Sequence, residues 1–186
     1  LIPESIVSRE KICDLVVSKD YPYGVDVDRD IAKIAVVERH NNTGHIGLGF
    51  ITGFKIKKGA IASSIGHDSH NIIVIGVNDE DMALAVNTVN KNNGGLSATC
   101  DGKVLGDLKL EVAGLMTEKK ADYVIEKLDK LKSIAYNKFG MNKLHDPFMT
   151  LAFMQLPVIP DLKIIPKGLV DVKNQVIIDA MFNGGK

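Results

Sequence analysis

At 186 residues with 45% hydrophobic content, the chain is long enough for one packed domain and too apolar for intrinsic disorder. Lys plus Arg balance Asp plus Glu at 23 each, and aromatic residues make up 5% with no Trp. The first leaves no basic field for nucleic acid and the second little for base stacking. Two cysteines, Cys13 and Cys100, form no CxxC pair. This excludes a zinc knuckle and fits a reduced intracellular protein. No apolar run reaches the roughly 18 residues of a membrane span.

Residues 1–30 read as a lead-in or linker. Residues 6–17 fit a short helix or strand, and Tyr21-Pro22-Tyr23-Gly24 is turn chemistry. The chain starts at Leu1 without a Met and shows no signal peptide, so it reads as part of something longer. Residues 31–37 (IAKIAVV) predict a β-branched strand that runs into the charged cluster Glu38-Arg39-His40. Residues 46–54 carry Gly47, Gly49 and Gly53 in a G-x-G-x-x-x-G spacing. That is not a dinucleotide loop, and glycines inside strands mark bulges or close backbone approach.

After a basic turn at 55–59, residues 71–76 predict another strand. Asn78 then caps a helix with Asp79, Glu80 and Asp81 in its first turn and Met82, Ala85, Val86 and Val89 as its apolar stripe. Asn93-Gly94-Gly95 stops it. Residues 96–100 and 103–110 predict a hairpin around Asp101-Gly102. Thr117 is the expected cap of a long helix to about Phe139, with a stripe of Ala121, Val124, Ile125, Leu128, Leu131 and Ala135, ended by Gly140. Residues 148–156 read as a short buried helix or strand broken by Pro157 and Pro160, 162–165 as a closing strand, and 171–186 as a peripheral element and frayed end. The expected fold is α+β, with a mixed, largely antiparallel sheet and two main helices in a strand-helix-hairpin-helix core preceded by further strands.

The densest chemistry lies in residues 63–71, SSIGHDSHN, between two apolar runs. Such a segment must be internally paired or used by a ligand. His67 and His70 are three apart, and a metal would need a further ligand such as Glu38 or His40. Ser63 and Ser64 lack the G-x-S-x-G context of a nucleophile elbow. Two readings stay level on chemistry alone. In one, His67 and Asp68 serve a bound polar heterocycle or shuttle a proton, with Ser63, Ser64, His70 and Asn71 as hydrogen-bonding partners. In the other, the segment is a satisfied polar turn. His45 and His145 read as turn and loop residues, Met141, Met149 and Met154 as core filler, and Cys100 as an unactivated thiol.

The stretch GAIASSIGHDSHNIIVIGVNDEDMALAVN, with the upstream VVERHNNTGHIGLGFITGF, resembles the C-terminal domain of bacterial and archaeal adenine deaminases. The likeness continues through NNGGLSATCDGKVLGDLKLEVAGLMTEKKADYVIEKL and DPFMTLAFMQLPVIPDLKIIPKGLVDV, and so spans 31–172, with 173–186 as a tail. The resemblance implies a cytoplasmic, purine-salvage enzyme of the amidohydrolase superfamily that hydrolyses adenine to hypoxanthine and ammonia. It also implies metals, manganese or iron, held in an N-terminal barrel with an H-x-H motif. No H-x-H occurs in this sequence, and a barrel needs about 250 residues. The expectation is therefore a domain that holds no metal of its own, is inactive alone, supports or covers the barrel's active site, and assembles as a homo-oligomer. Ser63, Ser64, His67, Asp68, His70 and Asn71 are expected at that site's mouth, with Glu38, Arg39 and His40 alongside. The alternatives are a stand-alone purine-binding module or an oligomerisation module that buries an apolar patch at 148–156.

Overall fold

The computed structural model describes residues 5–15 and 24–181. Its centre is a six-stranded, wholly antiparallel sheet in the order β2-β1-β4-β3-β5-β6. The strands are β1 (Ala32–Val37), β2 (Ile46–Ile51), β3 (Ala60–Ser63), β4 (Ile72–Gly76), β5 (Gly95–Cys100) and β6 (Lys103–Lys109). All residues of β3, β4 and β5 are buried. This explains why they read as continuous apolar runs: helices cover both faces, so neither face needs polar alternation.

On one face, Ala35, Ala60, Ala62, Ile72 and Val74 pack against Met82, Ala85 and Val89 of helix α1 (Asp79–Lys91). On the other, Ile34, Val36, Ile61, Ile73 and Ile75 meet the later helices α2 (Ala121–Ser133) and α3 (Pro147–Phe153) through Leu131, Phe148 and Leu151. Asn78 caps α1 as expected, its Oδ1 accepting from the Asp81 amide at 2.7 Å. Asp81 is 2% exposed. Its carboxylate accepts from Asn78 Nδ2 and from the amides of Asp101 and Gly102. The hairpin turn is thereby tied to the helix N-terminus. The hairpin itself carries a register shift at Ala98/Thr99.

Three expectations need correction. Thr117 does not cap α2. Its Oγ1 accepts from the Lys119 amide in a local turn, and the helix starts at Ala121 behind Lys120, with no side-chain cap. Ala121 and Ile125 are exposed, because α2 lies along the edge strand β6 and turns only a narrow stripe inward. From Ile134 to Lys138 the helix widens into a π-helical turn, which brings both Ile134 and Ala135 into the core before Gly140 ends it. The apolar patch at 148–156 is not an exposed surface: Phe148, Leu151, Ala152 and Met154 are buried in the chain's own core. This segment is α3, capped by the Asp146 carboxylate.

The closing strand β7 (Leu162–Ile165) forms a separate three-stranded sheet with β8 (Gly168–Asp171) and β9 (Val176–Ile178). This small sheet leans on β2 at Gly47, where a Cβ would stand 1.9 Å from the Ile165 carbonyl oxygen. Gly47 pairs regularly with Val36, so it marks close approach and not a bulge. Residues 5–15 contain neither helix nor strand, and 16–17, 21–23 and 182–186 lie outside the described residues. The N-terminal segment runs beside β7: Ser8 Oγ donates to the Leu162 carbonyl at 2.5 Å, and the buried Lys163 Nζ donates to the Ile6 carbonyl at 2.9 Å.

Replacing Asp81 leaves two turn amides and the Asn78 side chain without their acceptor. Asp81→Ala should lower the unfolding free energy by about 2–3 kcal/mol, read by urea denaturation. Burial pushes the Lys163 ammonium from 10.5 down to about 8. Between those two pH values the unfolded chain holds a proton that the folded chain has released, so stability should rise with pH across this interval. Urea midpoints of the parent and of Lys163→Met should diverge there, the variant lacking this component of the rise.

Candidate functional site

Antiparallel register decides which loops meet. Val37 pairs with Ile72, Ser63 with Ile73 and Leu96, and Gly95 with Lys109. Loops 38–45, 64–71 and 110–116 therefore emerge at the same end of the sheet. Residues 156–158 and 165–167 lie beside the first two, and together they enclose an open groove of about 700 Å³.

Ser63 and Ser64, expected to contact a ligand, are fully buried. Ser63 Oγ accepts from the Ile65 amide at 2.9 Å and donates to the Ile65 carbonyl at 3.1 Å. Ser64 Oγ donates to the Gly114 carbonyl at 2.6 Å and accepts from the Gly95 amide at 2.7 Å. Both hydroxyls satisfy backbone groups where the loop leaves β3. Asn71, 6% exposed, accepts from the Arg39 amide and donates to Ser69 Oγ. His70 Nδ1 accepts from the Gly66 amide at 3.3 Å, which fixes the proton on Nε2. Burial lowers the His70 pKa, and the neighbouring His67 and Arg39 lower it further against the opposing pull of Asp68. His70 is thus a neutral ring that shapes the loop.

The 38–45 loop is also internally committed. Glu38 Oε1 accepts from the amides of His40 and Asn41 at 2.6 and 2.8 Å; Oε2 accepts from the Thr43 amide and hydroxyl, each at 3.0 Å. The Thr43 amide first, then those of Asn41 and His40, hold the carboxyl pKa down at about 2. Glu38 is therefore a permanent anion closing its own loop. His40 Nε2 donates to the Ser69 carbonyl at 2.7 Å, joining the two loops.

His67 and Asp68 differ from these neighbours. The His67 amide is held by the Ala152 carbonyl, and its ring lies 4.6 Å from that of Phe153. Its ring nitrogens have no hydrogen-bond partner among the described residues, and the exposed Asp68 carboxylate has neither hydrogen bond nor ion pair there. Asp68 lines the groove together with Ser69 and Asn71, facing an apolar wall of Leu156, Pro157, Val158 and Ile165. The site offers a free carboxylate acceptor beside a nonpolar surface. No group of three or more His, Cys, Asp or Glu side chains able to hold a metal ion occurs among the described residues.

One participant was not found from sequence. Gln155, 1% exposed, donates from Nε2 to the Asn71 carbonyl at 3.0 Å and accepts from Ser69 Oγ at 3.1 Å. It threads the inside of the loop so closely that a Cβ on Gly66 would stand 1.5 Å from its Nε2. The signal was a lone amide within the apolar run FMQLPV. Gly66→Ala should cost about 1–3 kcal/mol by overpacking. Gly66→Ala with Gln155→Ala should recover most of that loss, because the added methyl occupies the space the amide leaves. A double-mutant cycle by urea unfolding reads this coupling.

The sequence is similar to known proteins over most of its length. A family model described as the adenine deaminase C-terminal domain matches residues 5–176. The chain is 47% identical over 178 residues to adenine deaminase 2 of Carboxydothermus hydrogenoformans, covering 96% of this chain and 31% of that protein. It is 50% identical over 149 residues to adenine deaminase of Clostridium acetobutylicum, covering 80% and 26%. It is 53% identical over 155 residues to adenine deaminase 1 of Rhizobium meliloti, covering 83% and 27%. The chain thus spans under a third of the length of these curated relatives, and it belongs to the adenine deaminase C-terminal domain family.

Proposed function

We propose that this chain is the C-terminal domain of an adenine deaminase and that loop 66–71 faces a catalytic centre built by the N-terminal remainder of the longer protein. One observation carries the reading. Of the nine side chains that the sequence nominates here (Glu38, Arg39, His40, Ser63, Ser64, His67, Asp68, His70 and Asn71), His67 and Asp68 alone are left without a hydrogen-bond partner among the described residues, and Asp68 lines a groove with an apolar wall. Asp68 accepts from an N–H of the purine or from the departing amine, and His67 relays a proton between them. The apolar wall receives the flat face of the heterocycle. A fixed carboxylate discriminates against analogues that lack the matching donor.

Ile6 and Ser8 are tied to β7, and Ile165 at the end of β7 lines the groove. The relatives this chain matches are about three times its length, so the remainder of the site belongs to the part of the longer protein that precedes this domain. A metal, manganese or iron, would be held by residues of that preceding part and would supply activation of the attacking water, and in this reading the 186 residues alone do not deaminate. In this reading the whole protein acts in cytoplasmic purine salvage and assembles as a homo-oligomer.

A chimera tests it: this chain replaces the matching third of the Carboxydothermus hydrogenoformans relative. Asp68→Asn and His67→Ala should each lower kcat/KM for adenine by about tenfold or more. Values within about twofold of the parent chimera for both variants contradict the reading. The purine-binding alternative rests on the groove lying within this chain; calorimetric titration of the isolated chain with adenine, showing tight binding, would favour it.

A further inference from the structure

We infer that Arg39 is a positioning residue for the His67–Asp68 loop. It joins that loop to the 110–116 turn and so sets where His67 and Asp68 project. The inference rests on the catalytic reading above for its kinetic consequence, but not for its geometry.

Arg39 makes three bonds that leave its own loop. Its amide donates to Asn71 Oδ1 at 3.2 Å, its Nε to the His70 carbonyl at 2.5 Å, and its Nη2 to the Ala113 carbonyl at 2.8 Å. The guanidinium is seated against Gly114, where an added Cβ would stand 2.6–2.8 Å from Nη2, Cζ and Nη1. Ala113 and Gly114 both adopt positive φ, +56° and +75°. Their two carbonyls are taken by the site from two directions: Arg39 holds that of Ala113, and Ser64 Oγ holds that of Gly114. Gly94 packs beneath, with room for no side chain: a Cβ there would stand 2.2 Å from Gly114 Cα. The turn is therefore a fixed anchor, and Arg39 is the strut from it to the carbonyl of His70.

The chemistry requires arginine. One planar fork donates to two carbonyls in different directions while lying against a backbone; a lysine ammonium is a single point on a flexible stem. His40 adds a parallel bond to the Ser69 carbonyl, so consecutive carbonyls at 69 and 70 are both held from the 38–45 loop. The two held carbonyls fix the peptide planes that follow Ser69 and His70, and so brace the side of the loop that leads away from Asp68. Holding a reacting group to within a fraction of an ångström is where such supports act on rate.

The test has a structural arm and a kinetic arm. In the isolated chain, Arg39→Met should shift the backbone amide resonances of His67, Asp68 and His70. If that variant does not fold, Arg39→Lys, which keeps the charge and the stem, gives the same comparison. In the chimera, Arg39→Lys and Arg39→Met should lower kcat by about tenfold or more with a smaller change in KM. Guanidinium ion below denaturing concentration should restore part of the activity of Arg39→Ala. Unmoved loop resonances overturn the brace whatever the kinetics show. Moved resonances with kcat within about twofold of the parent, in a chimera that Asp68→Asn impairs, overturn the positioning role. If Asp68→Asn and His67→Ala leave turnover unchanged while Arg39→Met still moves the loop, the catalytic reading falls and the brace stands.

Discussion

A largely polar loop of eight residues that leaves one buried strand and returns along another cannot leave its backbone unsatisfied. This constraint organises the domain. Ser63, Ser64, Asn71 and Gln155 satisfy the buried ends of loop 64–71, and Arg39 and His40 satisfy its outer carbonyls. These side chains come from the loop itself and from the ends of β1, β3 and α3, and Ser64 reaches Gly95 of β5, so the loop is specified only when these elements are all in place. The antiparallel register of the sheet makes that convergence possible, because it delivers their ends to one edge.

Most of the polar groups that look chemically active are thus occupied with structure. Glu38 illustrates the difference. Its pKa, held at about 2, reflects four hydrogen bonds from its own loop; a perturbed carboxylate of this kind is a structural anion with no capacity left for proton transfer. Asp68 lacks such partners and stands at the groove. Separating committed from uncommitted side chains narrows a cluster of nine polar residues to two that remain available to a ligand.

Much of the fold was legible in the sequence because short-range chemistry fixed it. Asn78 with three acidic residues behind it, Asp101-Gly102 between two strand runs, and the uninterrupted IIVIG of β4 each have a local cause. Thr117 and Ile125 misled for a tertiary reason: a local turn took the hydroxyl, and α2 met only an edge strand. The site was half legible. The motif HDSHN located the loop, but residue type could not say which groups would be taken up internally. That depends on partners 30 to 85 positions away, such as Arg39, Gly114 and Gln155. A single glutamine in an apolar helix end gave no periodic signal, although it proves to be the loop's inner support.

The division between scaffold and chemistry can be read at one atom pair, the carboxylate oxygens of Asp68. Carbodiimide labelling of this residue, followed by peptide mass spectrometry, compares the isolated chain with the chimera in the presence and absence of hypoxanthine. Labelling in the isolated chain, loss of labelling in the chimera, and further protection by hypoxanthine are the expected pattern. Equal labelling of Asp68 in all three states would contradict a shared cavity and return the loop to a purely structural role.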